Sequence, residues 1–167
     1  MRYLVRERIF SLGTDFWIED EYGNRPFYVD GKALSLREAC ELRDADGNLL
    51  TRIHKKLLAM RDTMEIEADG RTVARIRPAF FSPIKHRYEI DLTDGQRLEA
   101  VGNFTDKNWE IIGADGQLVG RVSRQWFRVR DTYGVEVAPG VNDPLIISIA
   151  VCIDHIHTDQ ERERLAH

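Results

Sequence analysis

Apolar and polar residues alternate one for one along most of this chain. Met64, Ile66 and Ala68 are interleaved with Glu65 and Glu67, and Tyr88, Ile90 and Leu92 with Glu89 and Asp91. Val135 and Val137 flank Glu136, and Phe127 and Val129 alternate with Arg128 and Arg130. A period of two puts one face of a strand in a core and the other in water, as in an antiparallel sheet. Turn signals separate the runs. Asp46-Gly47, Asp69-Gly70, Asp94-Gly95 and Asp115-Gly116 recur at spacings of 23, 25 and 21 residues, with Tyr22-Gly23-Asn24 and Tyr133-Gly134 as looser versions. Asp-Gly is the pair that a type I′ hairpin turn takes, because both central residues need positive φ. The segments starting at Asp46 (DGNLLTRI), Asp69 (DGRTVARI) and Asp115 (DGQLVGRV) are alike, which points to a repeated hairpin unit. Their period is too irregular for a solenoid. The pattern predicts about twelve strands before residue 140 and a short helical turn near Ser35-Leu36-Arg37-Glu38. Pro26, Pro78 and Pro83 fall where edges, bulges or loops tolerate a missing N–H.

The grammar changes at residue 142. Asn142 or Asp143 can cap a helix and Pro144 suits its first position. Leu145 to Ile153 is then apolar on every face, broken only by Ser148. A helix over about 143–157 is roughly 20 Å long, the span of a six-residue strand. It falls far short of the roughly 20 apolar residues that cross a bilayer. A barrel of about twelve strands has an interior between that of a filled eight-stranded barrel and a sixteen-stranded channel, enough for one helix. The chain is therefore expected to be mainly β: a closed antiparallel barrel of roughly twelve strands around a central hydrophobic C-terminal helix. A helix clasped between two sheets, or at a dimer interface, is the competing arrangement. Residues 1–158 are expected to form one domain and 159–167 a charged, frayed tail.

One ordered series of residues carries a family resemblance. It opens with Arg8-Ile9-Phe10-Ser11-Leu12-Gly13-Thr14-Asp15-Phe16-Trp17-Ile18 and continues through Asp20-Glu21-Tyr22-Gly23-Asn24. Phe27-Tyr28-Val29-Asp30-Gly31-Lys32, Leu34-Ser35-Leu36-Arg37 and Lys55-Lys56-Leu57-Leu58-Ala59-Met60 follow, and the apolar helix closes it at Ile153-Asp154. The chain resembles the LURP-one-related family, a branch of the tubby C-terminal-like superfamily that is distantly similar to phospholipid scramblases. The resemblance implies a twelve-stranded barrel wrapped around its C-terminal helix. It implies no reaction. Its relatives point to phosphoinositide or membrane-surface binding, lipid handling and plant defence, but no lipid-contacting motif carries over to residues here.

Composition narrows the classes. The chain has 167 residues and a net charge of −4, with 43% apolar and 31% charged residues, which fits one globular domain and disfavours a nucleic-acid binder. Two cysteines, Cys40 and Cys152, make neither a disulfide framework nor a zinc motif. The N-terminal residues lack the apolar core of a signal peptide, so the expected location is the cytoplasm, free or peripheral to a membrane.

The chain carries no phosphate-cradling loop, nucleophile elbow or zinc spacing, so no cofactor or metal is expected and the reading is of a non-enzymatic protein. Ser11 and Ser35 read as turn or capping serines. His155 and His157, two apart on a helix, face different sides and do not chelate together. The hairpin aspartates are explained by turn chemistry.

Charge is distributed unevenly. Residues 1–51, 52–87, 88–120 and 121–167 carry −3, +5, −5 and −1. The candidate anion- or lipid-binding residues come from the basic block: Arg52, Lys55, Lys56, Arg61, Arg75, Arg77, Lys85 and Arg87. Arg71 lies in the same block, and Arg121, Arg124, Arg128 and Arg130 form a second cluster. Gathered on one wall beside the apolar loop Ala79–Arg87, such cations suit an anionic membrane surface, a phosphoinositide-like headgroup or another polyanion. The alternative is a protein-interaction or structural domain whose basic block pairs with the acidic one across neighbouring strands.

Placing a carboxylate in the helix tests its expected position. Ile149→Asp buries an acid with no partner and costs several kcal/mol even after its pKa rises. Circular dichroism and thermal melting should report a molten or insoluble protein; native-like melting would place the segment outside the core.

Overall fold

The computed structural model describes residues 1–6, 15–30, 40–56, 62–79, 87–127 and 129–166. Twelve strands are present among the described residues: β1 (Arg2–Arg6), β2 (Phe16–Asp20), β3 (Phe27–Asp30), β4 (Cys40–Asp44), β5 (Leu49–Lys55) and β6 (Met64–Ala68), then β7 (Arg71–Pro78), β8 (Arg87–Leu92), β9 (Arg97–Asn103), β10 (Asn108–Gly113), β11 (Leu118–Ser123) and β12 (Thr132–Val137). Each pairs antiparallel with its neighbours in sequence, and β12 closes on β1 through five residue pairs from Arg2↔Glu136 to Arg6↔Thr132. The sheet is a closed barrel. The expected helical turn near Ser35–Glu38 lies outside the described residues, as does Pro83.

Helix α1 (Asp143–Ala166) runs through the barrel. Asn142 caps it, its Oδ1 accepting the Leu145 N–H at 3.0 Å, and Pro144 sits in the first turn, where a missing N–H is harmless. Ile146 to His157 are buried without interruption. Twelve consecutive buried residues span about 18 Å and every face of the helix, so the wall must surround it. The wall supplies the complementary surface: Ile18, Ile53, Ile66, Ile76, Ile90, Ile111 and Val135, among others, point inward and are fully buried.

Buried polar groups on the helix are answered individually. Ser148 donates to the Pro144 carbonyl at 2.7 Å and meets the Thr51 hydroxyl at 2.7 Å. Asp154 pairs with Lys107, which the β9–β10 turn presents, and both side chains are buried. His155 Nε2 lies 3.4 Å from Asp159, and His157 Nε2 bonds the Thr105 hydroxyl at 3.3 Å.

Several expectations need correction. The helix does not stop at 157 but continues to Ala166, so residues 158–166 are helical rather than a frayed tail. No Gly or Pro interrupts this stretch, and Arg162–Asp159 (4.0 Å) and Arg164–Glu161 (2.8 Å) pair one turn apart. Lys55 reaches Asp159 from the wall at 3.7 Å. Secondly, Phe127 and Val129 are not on a strand, and Tyr133-Gly134 is not a turn but lies within β12. A Cβ built on Gly134 would fall 2.7 Å from the Trp126 ring and 3.1 Å from that of Phe127. The segment thus folds back onto the bare backbone of β12, and the Arg2 guanidinium covers Trp126 at 4.4 Å.

The three similar segments share one construction. Each follows a tight turn with a register shift that leaves its fifth residue extra: Leu50, Val73 and Val119. The shift resets the alternation, so the sixth residue (Thr51, Ala74, Gly120) faces inward and is small where the helix passes. A Cβ on Gly120 would meet Ile146 at 2.8 Å. The seventh residue, always Arg, faces outward, directly opposite a glutamate on the preceding strand: Glu41↔Arg52, Glu65↔Arg75 and Glu110↔Arg121. The eighth, Ile53, Ile76 or Val122, returns to the core. The Asp94 hairpin has no register shift, and its inward residues, Leu98 and Ala100, come one position earlier.

The turns also differ from the expected type. Only Asp69-Gly70 has positive φ at both residues, 52° and 74°; at Asp46-Gly47, Asp94-Gly95 and Asp115-Gly116 the glycine alone does. Carboxylates support the latter loops: Asp44 accepts from the N–H groups of Asp46 and Asn48, Asp94 from Gln96 and Asp115 from Gln117, at 2.9–3.0 Å. A three-residue loop ending in a left-handed glycine needs no strained aspartate.

The buried Lys107–Asp154 pair is open to a double-mutant cycle. Lys107→Met leaves Asp154 buried without this cation and should cost about 3–5 kcal/mol. Lys107→Met with Asp154→Leu should recover most of that loss in urea denaturation. Additive losses in the double variant would show that the two groups are energetically independent.

Candidate functional site

The eight candidate cations start from outward positions on β5, β7 and β8 or from the adjoining connections. Arg61 and Lys85 lie outside the described residues, as do Phe80, Phe81 and Ile84. The others are placed, and five of them face acids. Arg52 bonds Glu41 at 2.8 Å, and Arg43 holds the other oxygen of that carboxylate. Arg75 meets Glu65 at 2.9 Å. Arg77 lies between Glu89 at 3.1 Å and Asp91 at 2.7 Å, and Asp91 also takes Arg97 at 3.0 Å. Arg87 pairs diagonally with Glu99 at 3.0 Å, and Lys55 reaches Asp159. Lys56 is exposed at the end of β5. Arg121, from the second cluster, joins Glu110 at 2.9 Å.

The wall is therefore a mosaic. The +5 and −5 blocks come together because β7 and β8 are hairpin neighbours and the period of two puts both sets of charges outside. The pairs also set protonation. Burial works to raise the Glu41 carboxyl, but hydrogen bonds from Arg52 and Arg43 outweigh it and hold the group below its ordinary range.

Other candidate chemistry falls in the core. Cys40 and Cys152 are buried free thiols. Burial pushes Cys40 up to about 12, with the Glu41 charge adding to it, and raises Cys152 well above its ordinary value. Both remain protonated near neutral pH and neither is a ready nucleophile. Among the described residues no group of three or more His, Cys, Asp or Glu could hold a metal ion. No described helix is long and apolar enough to cross a membrane.

Concavities lined by described residues lie at both ends of the buried part of the helix. At its exit a cleft of about 350 Å³ is lined by Thr105, Lys107, Arg124, Asp154, His157 and Arg162, among others. At its start lies a larger groove of about 450 Å³, bounded by the start of β5, the β6–β7 and β8–β9 turns and the first turn of α1. Leu49, Leu50, Val73, Leu92 and Leu145 line it, and Asp69 and Asp94 stand at its edge. Turn chemistry accounted for those aspartates in the sequence, and nothing there distinguished Leu50 and Val73 from ordinary strand residues. Their place at the same step of two similar segments was the available signal.

A LURP-one-related family model matches residues 1–154. The chain belongs to the LURP-one-related family. Its similarity to the Bacillus subtilis (strain 168) protein YxjI is 26% identity over 163 residues, covering 96% of each chain. Similarity to the Arabidopsis thaliana protein LURP-one-related 6 is 24% over 159 residues, 87% of this chain and 83% of that one. The X-ray structure of the Arabidopsis thaliana protein AT5G01750 superposes with a TM-score of 0.67 at 15% identity, over 93% of this chain and 91% of that one. At that identity the superposition establishes the fold alone: the same barrel is built there with largely different side chains.

The Glu41 cluster of this LURP-one-related barrel generates a pH test. A carboxyl held low in the folded state stabilises above its unfolded pKa, near 4.3, and loses that contribution as pH falls through its lower folded value. Glu41→Gln should cost about 1 kcal/mol at neutral pH. In urea denaturation the gap to wild type should close below about pH 4. A gap of equal size at both ends of the series would mean that the charge contributes nothing.

Proposed function

We propose that this chain is a non-enzymatic interaction module that binds other proteins rather than anionic lipid headgroups. One observation carries the choice. Five of the six described candidate cations already meet a carboxylate, and at each step along β7–β8 an acid stands beside a base. A polyanion docking there would have to displace those acids or lie against them, and like charges at short range oppose it. The non-enzymatic part of the reading rests on the protonated core thiols and on outward carboxylates that are ion-paired rather than desolvated in a pocket. A rigid barrel with apolar and charged features at its two ends suits recognition of another chain.

Sedimentation with vesicles separates this from headgroup binding. Pelleting with phosphatidylserine- or phosphoinositide-containing vesicles should equal that with phosphatidylcholine vesicles, at low as at physiological salt. Preferential, salt-sensitive pelleting with the anionic vesicles, falling in a variant with Arg75, Arg77, Lys85 and Arg87 changed to Gln, would overturn the reading in favour of lipid binding.

A further inference from the structure

The groove at the start of the helix is a product of the repeated hairpin unit. In the first two copies the extra residue at the register shift, Leu50 or Val73, lines it; in the third, the extra residue Val119 does not. A bulge near a barrel rim re-aims a side chain. Here two of them widen the apolar surface made by Leu49, Leu92, Pro144 and Leu145, and Leu49 is 45% exposed. Leu50, Val73, Leu92 and Leu145 are half-buried around it, and partly exposed apolar side chains gathered at a concave site suit a contact surface.

The rim decides the charge of the occupant. On the barrel wall Glu41, Glu65, Glu89, Asp91, Glu99 and Glu110 are all ion-paired. Asp69 and Asp94, from adjacent hairpins, make no ion pair among the described residues. Asp94 uses one oxygen to hold the Gln96 N–H at 2.9 Å. A helix N-terminus close by would ordinarily favour an anion. In this structure Asn142 takes the Leu145 N–H, and Asp143, bonded by the Tyr3 hydroxyl, adds a negative charge to the first turn. The two charged side chains that line the groove, Asp69 and Asp94, are both acidic.

Closure of the barrel restricts how a partner docks. Every described strand has two neighbours, so none of them offers an edge to which a peptide could add as a further strand. Recognition must go through inserted side chains. We propose that this groove receives a peptide segment of a partner protein carrying aliphatic side chains flanked by lysine or arginine, the aliphatic groups entering between Leu49, Leu50, Val73 and Leu145 and the cations meeting Asp69 and Asp94. The proposal rests on the protein-interaction reading above and gives it a site and a partner chemistry.

Nuclear magnetic resonance titration of the ¹⁵N-labelled full chain tests it, with a Lys-Leu-Leu-Lys peptide against Glu-Leu-Leu-Glu and Lys-Ser-Ser-Lys peptides. The first should move the amides of Leu49, Leu50, Val73, Leu92 and Leu145 saturably, and the other two should leave them in place. Asp69→Asn with Asp94→Asn keeps the turns, because asparagine accepts the left-handed backbone of Asp69 and retains the acceptor that holds Gln96. That variant should bind roughly fivefold more weakly. Leu49→Lys, at an exposed position, should abolish the shifts while leaving the melting temperature near wild type. Undiminished binding in either variant, or shifts scattered over other faces, would overturn the site. An alkylammonium ion that moves the same amides as strongly would reassign the groove to small amphiphiles. Failure of the wider reading is seen separately, in the vesicle experiment.

Discussion

A helix buried on all its faces must be enclosed. Ile146 to His157 offer no polar stripe to water, and a sheet on one side would leave half of their apolar surface exposed. Only a closed wall of suitable radius covers it, and closing the wall also removes the free strand edges that an open sheet would present. The other features of the fold follow from this fit. Small residues stand on the wall where the helix passes, and Gly120 leaves no room for even a methyl group against Ile146. Among the buried polar groups on the helix, Ser148 meets Thr51 of the wall and Asp154 meets Lys107 of the β9–β10 turn.

The repeated hairpin unit reconciles enclosure with a charged outer face. Its register shift moves a strand by one residue, so a small side chain faces the helix while an arginine faces the solvent opposite a glutamate. Three copies place three such pairs around the barrel at the same step. The shift has a second consequence, because an extra residue at a barrel rim has no partner across the ladder. In two copies that residue became part of a groove. Packing and recognition thus have a common origin in the same irregularity.

Much of the architecture was legible before folding. Period-two runs marked the strands, Asp-Gly the hairpins, and the apolar stretch from Leu145 to Ile153 the central helix, with Asn142 one of two capping candidates. The misreadings have local causes. Residues 158–166 look polar enough to fray, yet pairs one turn apart and Lys55 keep them helical. Phe127 and Val129 alternate like a strand, but the bare backbone at Gly134 gives Trp126 and Phe127 a better place to pack. The cations were visible as a block. Their partners were not, because charge counted along the chain says nothing of which strands become neighbours.

The sequence by itself determined the periodicities, the turns and the need to surround an apolar helix, since these depend on residues close together in the chain. Tertiary structure alone decided which charges meet, which buried polar groups find partners and where the register shifts leave a concave surface. Those depend on pairs such as Arg2 with Glu136 and Lys107 with Asp154, brought together by barrel closure and helix insertion. A net charge of −4 and a block of +5 are sums over the chain, whereas a binding surface depends on which charges remain without partners once the strands have paired.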